Sequence, residues 1–352
     1  MAITLTSLGD LAGLPFDDII DVRSPAEWAE DHIPGSVNLP VLDNEERARV
    51  GTIYVQDSPF KARKLGAALV ARNAAKHLEG PLAEKPGGWR PLVYCWRGGQ
   101  RSGSFATILG QIGWRVETIA GGYKAYRGLV VQAVYQADFP ARVVLLDGNT
   151  GSAKTEVLAL LAARGVQVID LEGLANHRGS LFGQRAGGQP SQKAFDGRLA
   201  AAYQALDPAR PVVIEAESSK VGDLALPPPL WKAMRAAPRL HLAAPRAARA
   251  AYLTRAYADL IETPGLLART VNLLRPQHAA ERIEGWLALA AAGAYATLAE
   301  ELMEHHYDPR YAKQRQRTAA AGDAAEEIAT EDLSPAALER LADRIAARIA
   351  TL

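Results

Sequence analysis

The sequence has a single cysteine, Cys95, among 352 residues. One thiol excludes an intramolecular disulfide framework and any zinc site built from several cysteines. A lone thiol that stays reduced is typical of a cytoplasmic protein. No run of about 18 apolar residues occurs, so the sequence predicts no membrane span. The N-terminal stretch MAITLTSLGD lacks the basic start and the apolar core of a signal peptide.

An excess of charge of one sign is also missing. The chain carries 40 Lys and Arg against 39 Asp and Glu, a net charge of +1. This balance does not exclude a nucleic-acid partner, because a polyanion needs only a local basic patch. Apolar residues make up 48% of a chain that is long enough for two domains, so full hydrophobic cores are expected.

Short apolar runs alternate with helical stretches along most of the chain, which predicts an α/β fold with parallel sheets. Ser24 and Glu27 have the spacing of a capping box at the start of one helix. The stretch ADFPAR (137–142) is the predicted domain joint. We expect one domain over 1–138, a second over 139–245, and a mainly helical region over 246–352 that packs on the second. The predicted strands lie at 17–23, 90–95, 114–122, 166–173, 211–218 and 239–245, and a further strand begins the stretch ARVVLLDGNTGSAKTEVLALLAARG.

The cysteine lies in the stretch YCWRGGQRSG (94–103), where a predicted strand ends and a helix begins. Backbone N–H groups and the helix dipole at such a point stabilise a thiolate, which is the nucleophile. Arg97 and Arg101 add positive charge, and the two glycines between them let the backbone curl around an anion. The sequence therefore predicts a reactive thiol beside an anion site rather than a cysteine buried as a small hydrophobic residue.

The spacing of this loop leaves two chemistries open. Five residues separate Cys95 from Arg101, and Ser102 follows, which matches the C-x5-R-[ST] pattern of cysteine phosphatases. Tyr94 stands where those enzymes have histidine, which weakens that interpretation. Sulfur transfer and phosphate-ester chemistry both remain compatible with the local sequence.

A second glycine loop, DGNTGSAKTE, follows a strand and opens a helix, which is the context of a P-loop. Ala153 occupies the position where glycine usually precedes the lysine. Any diphosphate would fit the same donors, so the loop does not require a nucleoside triphosphate. The residues expected to hold phosphate are Gly148, Gly151, Ser152, Lys154 and Thr155.

Two carboxylates follow the next predicted strand in the stretch PVVIEAES. Glu215 and Glu217 fall on one face because side chains alternate along a strand. They are candidates for holding Mg²⁺ through water. A solvated strand end explains the same pattern, and the sequence does not decide between the two.

Several motifs resemble known families. DVRSPAEWAEDHIPGSVNLP, CWRGGQRS and GGYKAYR resemble the signature, active-site loop and closing motif of a rhodanese domain. Further stretches are similar to the tRNA 2-selenouridine synthases, and with the two loops they extend from about residue 17 to 311. They are VGTIYVQDSPFKARKLGAALVARN (50–73), LANHRGSLFGQ (174–184), QPSQKAFDGRL (189–199), IEAESSKVG (214–222) and HHYDPRY (305–311).

The resemblance implies a transferase that acts on tRNA bearing 2-thiouridine at the wobble position. It implies that a geranyl group from geranyl diphosphate is placed on the sulfur, and that selenium from selenophosphate then displaces the S-geranyl group. Cys95, with Arg97 and Arg101, is expected to serve the selenium step. The P-loop is expected to hold geranyl diphosphate, with Lys154 stabilising the leaving diphosphate. An enzyme that supplies selenophosphate is a candidate partner, and Mg²⁺ is the one candidate cofactor.

The tRNA contacts are predicted from polar, basic and aromatic side chains. Basic residues beside aromatic ones suit a single-stranded anticodon loop. An ordinary charged helix face accounts for the C-terminal basic cluster equally well. The candidates are Asn176, His177, Arg178, Gln192 and Lys193, followed by Arg310, Lys313, Arg315 and Arg317 near Tyr307 and Tyr311.

Two other functions fit parts of the same pattern. One is a thiosulfate-type sulfurtransferase with an attached P-loop ATPase. The other is a non-catalytic platform that binds tRNA or a partner. The presence of Cys95, Arg97 and Arg101 together argues against an inactive module.

Overall fold

The computed structural model describes residues 2–319 and 325–352, except for the side chains of 314–319. The chain forms two compact units. The first contains Met1–Asp138 and Pro190–Ala205, and the second contains Phe139–Gln189 and Leu206–Leu352. Each unit has its own five-stranded parallel sheet, which confirms the predicted α/β class. Among the described residues no helix is both long and apolar enough to cross a membrane.

The first unit is built around a sheet with strand order β1-β5-β4-β2-β3. Its strands are β1 (Ala2–Ile3), β2 (Asp18–Asp21), β3 (Ser36–Asn38), β4 (Pro91–Tyr94) and β5 (Glu117–Ile119). Its helices are α1 (Pro25–Glu30), α2 (Asn44–Gln56), α3 (Pro59–Glu79), α4 (Gln100–Ile112), α5 (Gly122–Val131) and, from the returning segment, α8 (Gln192–Gln204). A 3₁₀ turn at Leu8–Gly13 and a π-helical turn at Gln132–Gln136 complete it.

The core of this unit lies under the central strands. Ile20 and Val93 are almost fully buried, and Phe105 and Leu109 of α4 pack against them. The carboxyl ends of parallel strands meet at one edge of a sheet, so the loop after β4 opens at that edge. The predicted capping box is present at α1, where the backbone N–H of Ser24 donates to Glu27 Oε2 at 3.1 Å.

The segment Pro190–Ala205 returns to the first unit, which differs from the predicted division at residue 138. Asp196 on α8 is 1% exposed and accepts hydrogen bonds from Arg127 at 2.5 Å and Tyr135 at 3.0 Å. Lys193 adds an ion pair with Glu30 at 2.6 Å. These contacts join residues 61 or more positions apart, so no local pattern indicates them.

The second unit has a sheet with strand order β12-β11-β6-β8-β7. The strands are β6 (Val143–Gly148), β7 (Gln167–Ile169), β8 (Val212–Glu215), β11 (Arg239–Ala243) and β12 (Glu326–Ala329), with an antiparallel pair formed by β9 (Lys220–Val221) and β10 (Leu224–Ala225). The helices are α6 (Lys154–Ala163), α7 (Leu171–Leu174), α9 (Pro228–Arg235), α10 (Arg246–Ala256), α11 (Ala258–Glu262), α12 (Leu266–Asn272), α13 (Ala280–Ala291), α14 (Tyr295–Leu302), α15 (Asp308–Ala319) and α16 (Pro335–Ile349). A 3₁₀ turn (Arg275–Gln277) and a π-helical turn (Met303–Tyr307) lie among them.

Two cores stabilise this unit. One joins the sheet to α6 and α16, and the other joins α11 to α14 around Trp286. The C-terminal part is mainly helical, as predicted, and the strand β12 lies within it. That strand extends the sheet beside β11, and only Ile328 of its four residues is buried, so its sequence carries little strand signal.

Candidate active sites in the two units

The cysteine loop connects β4 to α4 in the first unit. Gly99 precedes the helix with φ of 74°, a left-handed conformation that glycine adopts readily. Cys95 is 4% exposed, and the Ser102 hydroxyl donates a hydrogen bond to its sulfur at 3.3 Å. The sulfur therefore lies in the loop between β4 and α4, with the Ser102 hydroxyl directed at it.

The segment that begins with Gly121 and Gly122 in GGYKAYR makes hydrogen bonds to the backbone of the cysteine loop. The backbone N–H groups of Tyr123 and Lys124 donate to the carbonyls of Cys95 and Trp96 at 2.8 and 2.9 Å. Gly122 has φ of +54°, and a Cβ on it would lie 2.2 Å from the Cys95 carbonyl oxygen. The close approach of two backbones explains why this position requires glycine.

The two arginines of the loop have different surroundings. Arg101 makes a two-pronged ion pair with Glu27, at 2.6 and 3.1 Å. Burial opposes ionisation of Glu27, but the hydrogen bonds and charge of Arg101 prevail and lower its pKa to about 2. Arg97 is exposed, and among the described residues it has no ion-pair partner. Arg97 is thus the arginine of this loop that is available to an incoming anion.

A wide pocket of about 1120 Å³ opens over the thiol. The cysteine loop forms one side of it, and α2 and α3 form the other. Tyr54 and Val55 line it while remaining exposed, and Arg47, Arg63 and Arg97 add positive charge. The pocket therefore combines apolar surface with cationic groups, and it is much larger than a phosphate-sized anion needs.

The second glycine loop connects β6 to α6 in the second unit. Ala153 has φ of 61°, so it adopts the left-handed conformation that glycine usually provides at this position. A Cβ on Gly148 would lie 2.4 Å from Ser152 Oγ, and one on Gly151 would lie 2.9 Å from Leu253 Cγ. The loop is packed too closely to accept a side chain at either glycine.

Lys154 and Thr155 begin α6 and line a cavity of about 450 Å³ over the loop. The Lys154 ammonium donates to the Gly148 carbonyl at 2.8 Å. Burial disfavours its charge, but Tyr311, Glu172 and nearby carboxylates outweigh that effect and raise its pKa. Ser152 Oγ is buried and makes no hydrogen bond with the described residues, so it is available to a phosphate oxygen.

Three carboxylates line this cavity, Glu156, Glu172 and Glu217, and sequence reasoning identified only Glu217 among them. Thr155 Oγ1 donates to Glu172 Oε2 at 3.0 Å. Burial and the charge of Glu172 raise the pKa of Glu217 to about 8. Glu215 is 2% exposed and accepts the backbone N–H of Glu172 at 2.7 Å, so its carboxylate orders the loop instead of lining the cavity.

Asp308 braces the P-loop from the helical region, a role that sequence reasoning missed. It forms a two-pronged ion pair with Arg249 at 2.9 and 2.7 Å and accepts from Asn149 Nδ2 at 3.0 Å. Arg249 also donates to the Thr150 carbonyl at 3.1 Å. The motif HHYDPRY was the only signal, and nothing local connects it to a loop almost 160 residues earlier.

Three predicted nucleic-acid residues, Asn176, His177 and Arg178, belong to the second unit. Asn176 has φ of 48° and donates to the carbonyls of Ala186 and Gly188 at 2.9 and 2.8 Å, so it shapes a loop. His177 is 8% exposed, and burial lowers its pKa. Arg178 lines the P-loop cavity and pairs with Asp259 at 2.8 Å. Of the three, only Arg178 faces an anion site.

The other predicted nucleic-acid residues are divided between the units. Gln192 and Lys193 belong to the first, where Gln192 donates to Asp196 at 2.8 Å. Tyr311 lines the P-loop cavity, and Arg310 is exposed and donates to Gln277. The side chains of Arg315 and Arg317 lie outside the described residues.

A thiol loop on one parallel sheet and a P-loop on another define a two-domain enzyme of the rhodanese and P-loop classes. Residues 4–129 match the family model described as "Rhodanese-like domain". Residues 141–272 match "tRNA 2-selenouridine synthase AAA domain". Both classes agree with the geometry of the two loops.

Similar full-length proteins narrow the class. The tRNA 2-selenouridine synthase of Hahella chejuensis (strain KCTC 2396) is 34% identical over 355 residues, which cover 90% of each chain. That of Cupriavidus pinatubonensis (strain JMP 134 / LMG 1197) is 34% identical, over 88% of this chain and 91% of the other. That of Aeromonas salmonicida (strain A449) is 38% identical, over 72% and 68%. The chain belongs to the tRNA 2-selenouridine synthase family.

Proposed function

We propose that this protein replaces sulfur with selenium at position 2 of a tRNA wobble uridine, through an S-geranyl intermediate. Family membership over 90% of the chain supports the overall reaction. The observation that carries the two-step route is the presence of two anion sites of different chemistry, a P-loop around Lys154 and a thiol loop around Cys95. Both small substrates, geranyl diphosphate and selenophosphate, carry phosphate.

In the first step, the uridine sulfur attacks C1 of geranyl diphosphate. The carbon–oxygen bond breaks, diphosphate leaves with the electron pair, and the base loses its N3 proton. Lys154 and the loop N–H groups would stabilise the charge that develops on the leaving oxygen. Arg178 lines the same cavity and adds a second cation for the diphosphate.

Mg²⁺ would assist the same departure. The described residues contain no group of three or more His, Cys, Asp and Glu side chains that could hold a metal ion. Mg²⁺ is commonly held by one or two carboxylates together with substrate phosphates. Glu172 and Glu217, beside Thr155, are the residues that would complete such a site, and the bound ion would supply charge neutralisation.

In the second step, the selenium of selenophosphate attacks C2 of the base, and the geranyl thiol leaves with a proton. Water then cleaves the phosphorus–selenium bond, which releases phosphate and leaves selenium on C2. A thiol leaves C2 more easily than sulfide does, which explains why the sulfur is alkylated first. Cys95 would help to place selenophosphate for this attack, and Arg97 would hold its phosphate group. The wide pocket over Cys95 has room for a donor larger than a sulfane sulfur.

The proposal is tested by mass spectrometry of the wobble nucleoside after the protein is given thiolated tRNA and each small substrate in turn. We expect Cys95→Ser, which replaces only the sulfur atom by oxygen, to accumulate the S-geranyl nucleoside and to form no selenouridine. We expect Lys154→Ala to form no S-geranyl nucleoside but to selenate tRNA that is already geranylated.

Selenation at the wild-type rate by Cys95→Ser would refute the thiol role, and normal geranylation by Lys154→Ala would refute the P-loop role. Sulfur transfer from thiosulfate with neither product would favour the sulfurtransferase. Binding of tRNA with no chemical change would favour a platform.

A further inference from the structure

The side of the wide pocket that faces the thiol loop has a composition that a small phosphate donor does not require. Arg47, Tyr54 and Val55 of α2 and Arg63 of α3 line that side. Tyr54 is 53% exposed and Val55 is 83% exposed, so neither side chain belongs to the hydrophobic core. Gly51, which has no side chain, lies between Arg47 and Tyr54 on the same face of α2, since residues three or four apart share a helix face. The α2–α3 side of the pocket therefore presents an open aromatic ring between two guanidinium groups.

The pocket is lined by cations without matching anions. Four arginines contribute guanidinium groups, and no aspartate or glutamate is among the described residues that line it. Arg101 is paired with Glu27, and Arg47 lies 3.9 Å from the same carboxylate. Arg63 on α3 and Arg97 on the thiol loop form no ion pair within the described part of the chain. Two positive charges therefore remain available on opposite sides of the pocket.

These features select a ligand that carries both flat apolar faces and negative charges. Unpaired nucleotides of RNA have this character, because each contributes a base with a π-face and a phosphate, and aromatic rings and arginines recognise them. The bases of a duplex are already stacked on one another and cannot enter the pocket. A hydrocarbon would leave the guanidinium groups buried without partners.

We propose that the α2–α3 side of the pocket binds single-stranded RNA next to the nucleotide that reacts at Cys95, with a neighbouring base stacked on Tyr54 and a phosphate held by Arg63. The inference rests on the proposed function, because that function brings a tRNA loop to the thiol. None of the nucleic-acid contacts predicted from the sequence lies on α2 or α3. Pockets of about 300–1000 Å³ hold a drug-sized ligand, so a pocket of about 1120 Å³ holds a nucleotide together with a small phosphate donor.

Stacking of the neighbouring base has a consequence for the reaction. A base that stacks on Tyr54 is separated from the next base of its own strand, so the reacting base is left unstacked. The unstacked base then projects toward the thiol loop on the other side of the pocket. The α2–α3 side thus positions the substrate without contacting the reacting atoms.

The test uses the full chain and a fluorescently labelled RNA hairpin whose single-stranded loop contains uridine. Fluorescence anisotropy gives the affinity. The rate at which a disulfide reagent modifies Cys95, the only thiol in the chain, reports on this pocket itself. We expect the hairpin to slow that modification in proportion to the fraction of chain bound, and a fully paired RNA duplex of the same length to leave it unchanged.

Two exposed aromatic rings provide a matched pair of variants. Tyr54→Ala removes a ring from the pocket, whereas Phe60→Ala removes a ring, 69% exposed, that is not among the described lining residues. We expect Tyr54→Ala to weaken binding of the hairpin at least about fivefold, the loss of one base stacked on an aromatic ring. Tyr54→Phe should restore the affinity, and Phe60→Ala should bind as the wild type does.

Two adjacent basic residues provide the second pair. Arg63→Gln removes a charge that lines the pocket, whereas Lys64→Gln removes an exposed charge outside it. The slope of log K against log salt should become shallower by about 0.7 in Arg63→Gln, which is the effect of one phosphate contact on a single strand. Lys64→Gln should keep the slope of the wild type.

Three results would overturn the proposal. If Tyr54→Ala binds the hairpin as tightly as the wild type does, no base stacks there. If the duplex protects Cys95 as well as the hairpin does, the pocket does not select single strands. If polyglutamate protects Cys95 and the hairpin does not, the pocket belongs to an acidic protein.

Mass spectrometry of the wobble nucleoside separates this inference from the function on which it rests. If the hairpin protects Cys95 but the wild type forms neither modified nucleoside, the proposed function fails and the RNA surface stands. If the wild type forms selenouridine, and Tyr54→Ala and Arg63→Gln do so at the same rate at limiting tRNA, the function stands and only the RNA surface fails.

Discussion

Gly122 and Gly121 provide a matched pair for testing how the cysteine loop is held. Both are in the left-handed region, with φ of +54° and +72°. A Cβ on Gly122 would lie 2.2 Å from the carbonyl oxygen of Cys95, whereas one on Gly121 would lie 3.0 Å from the side chain of Ala125. Alanine at either position adds the same backbone strain, but only alanine at 122 must displace the thiol loop.

The structure gives the difference between the two variants. The left-handed conformation costs alanine about 1–2 kcal/mol at either site. At Gly122 the new carbon is also 0.8 Å inside the 3.0 Å limit (3.0 minus 2.2), and overpacking of this kind costs about 1–3 kcal/mol. Movement of the loop also weakens the hydrogen bonds from Tyr123 and Lys124, worth about 1 kcal/mol each. We expect a loss of about 3–5 kcal/mol for Gly122→Ala and about 1–2 kcal/mol for Gly121→Ala.

Two measurements report the outcome. The change in the free energy of unfolding is measured by urea unfolding of the full chain. Hydrogen exchange at β4 and α4 shows how much of that change belongs to the first unit. The rate at which Cys95 reacts with a disulfide reagent reports on the loop itself, because the thiol is 4% exposed in the wild type. Displacement of the loop should speed that reaction in Gly122→Ala and leave it nearly unchanged in Gly121→Ala.

Equal stability and equal thiol reactivity in the two variants would contradict the reasoning. That result would mean that the loop yields to the added methyl group at no cost, so the close backbone approach does not hold it. A large loss of stability in Gly121→Ala alone would place the constraint on α5 instead.

Two further outcomes are expected in the second unit. Asp308→Ala leaves Arg249, which is 7% exposed, without its counter-ion, so the free energy of unfolding should fall by about 3–5 kcal/mol. The double variant Asp308→Leu with Arg249→Met removes both charges and should recover much of the lost stability. A loss below about 1 kcal/mol in urea would show that Asp308 does not brace the loop. Because the pKa of Glu217 is raised from 4.5 to about 8, the folded chain keeps a proton that the unfolded chain releases, and stability should fall as pH rises through that window. Glu217→Gln should flatten this dependence, and an unchanged slope would show that the group does not titrate there.

The sequence located the cysteine loop and the P-loop between a strand and a helix because the requirements of such loops are local. In each loop, a strand, a tight turn and the start of a helix follow one another within about ten residues. The characteristic residues therefore occur at short, fixed spacings along the chain. Even so, sequence reasoning treated Arg97 and Arg101 alike, while the structure pairs Arg101 with Glu27 on another helix. It also chose Glu215 with Glu217, because alternation along a strand was the only geometry available to it.

The sequence by itself determined the α/β class, the positions of the thiol and phosphate loops, and the glycines at which the backbone must curl, since these depend on neighbours along the chain. Only the tertiary structure decided what each side chain meets. The Asp308 brace on the P-loop, the pairing of Glu172 with Glu217 and the return of Pro190–Ala205 to the first unit join distant segments. An apolar cavity beside the P-loop is likewise lined by four helices, α10, α11, α12 and α14, together with a turn and two loops, and none of these segments indicates the cavity by itself.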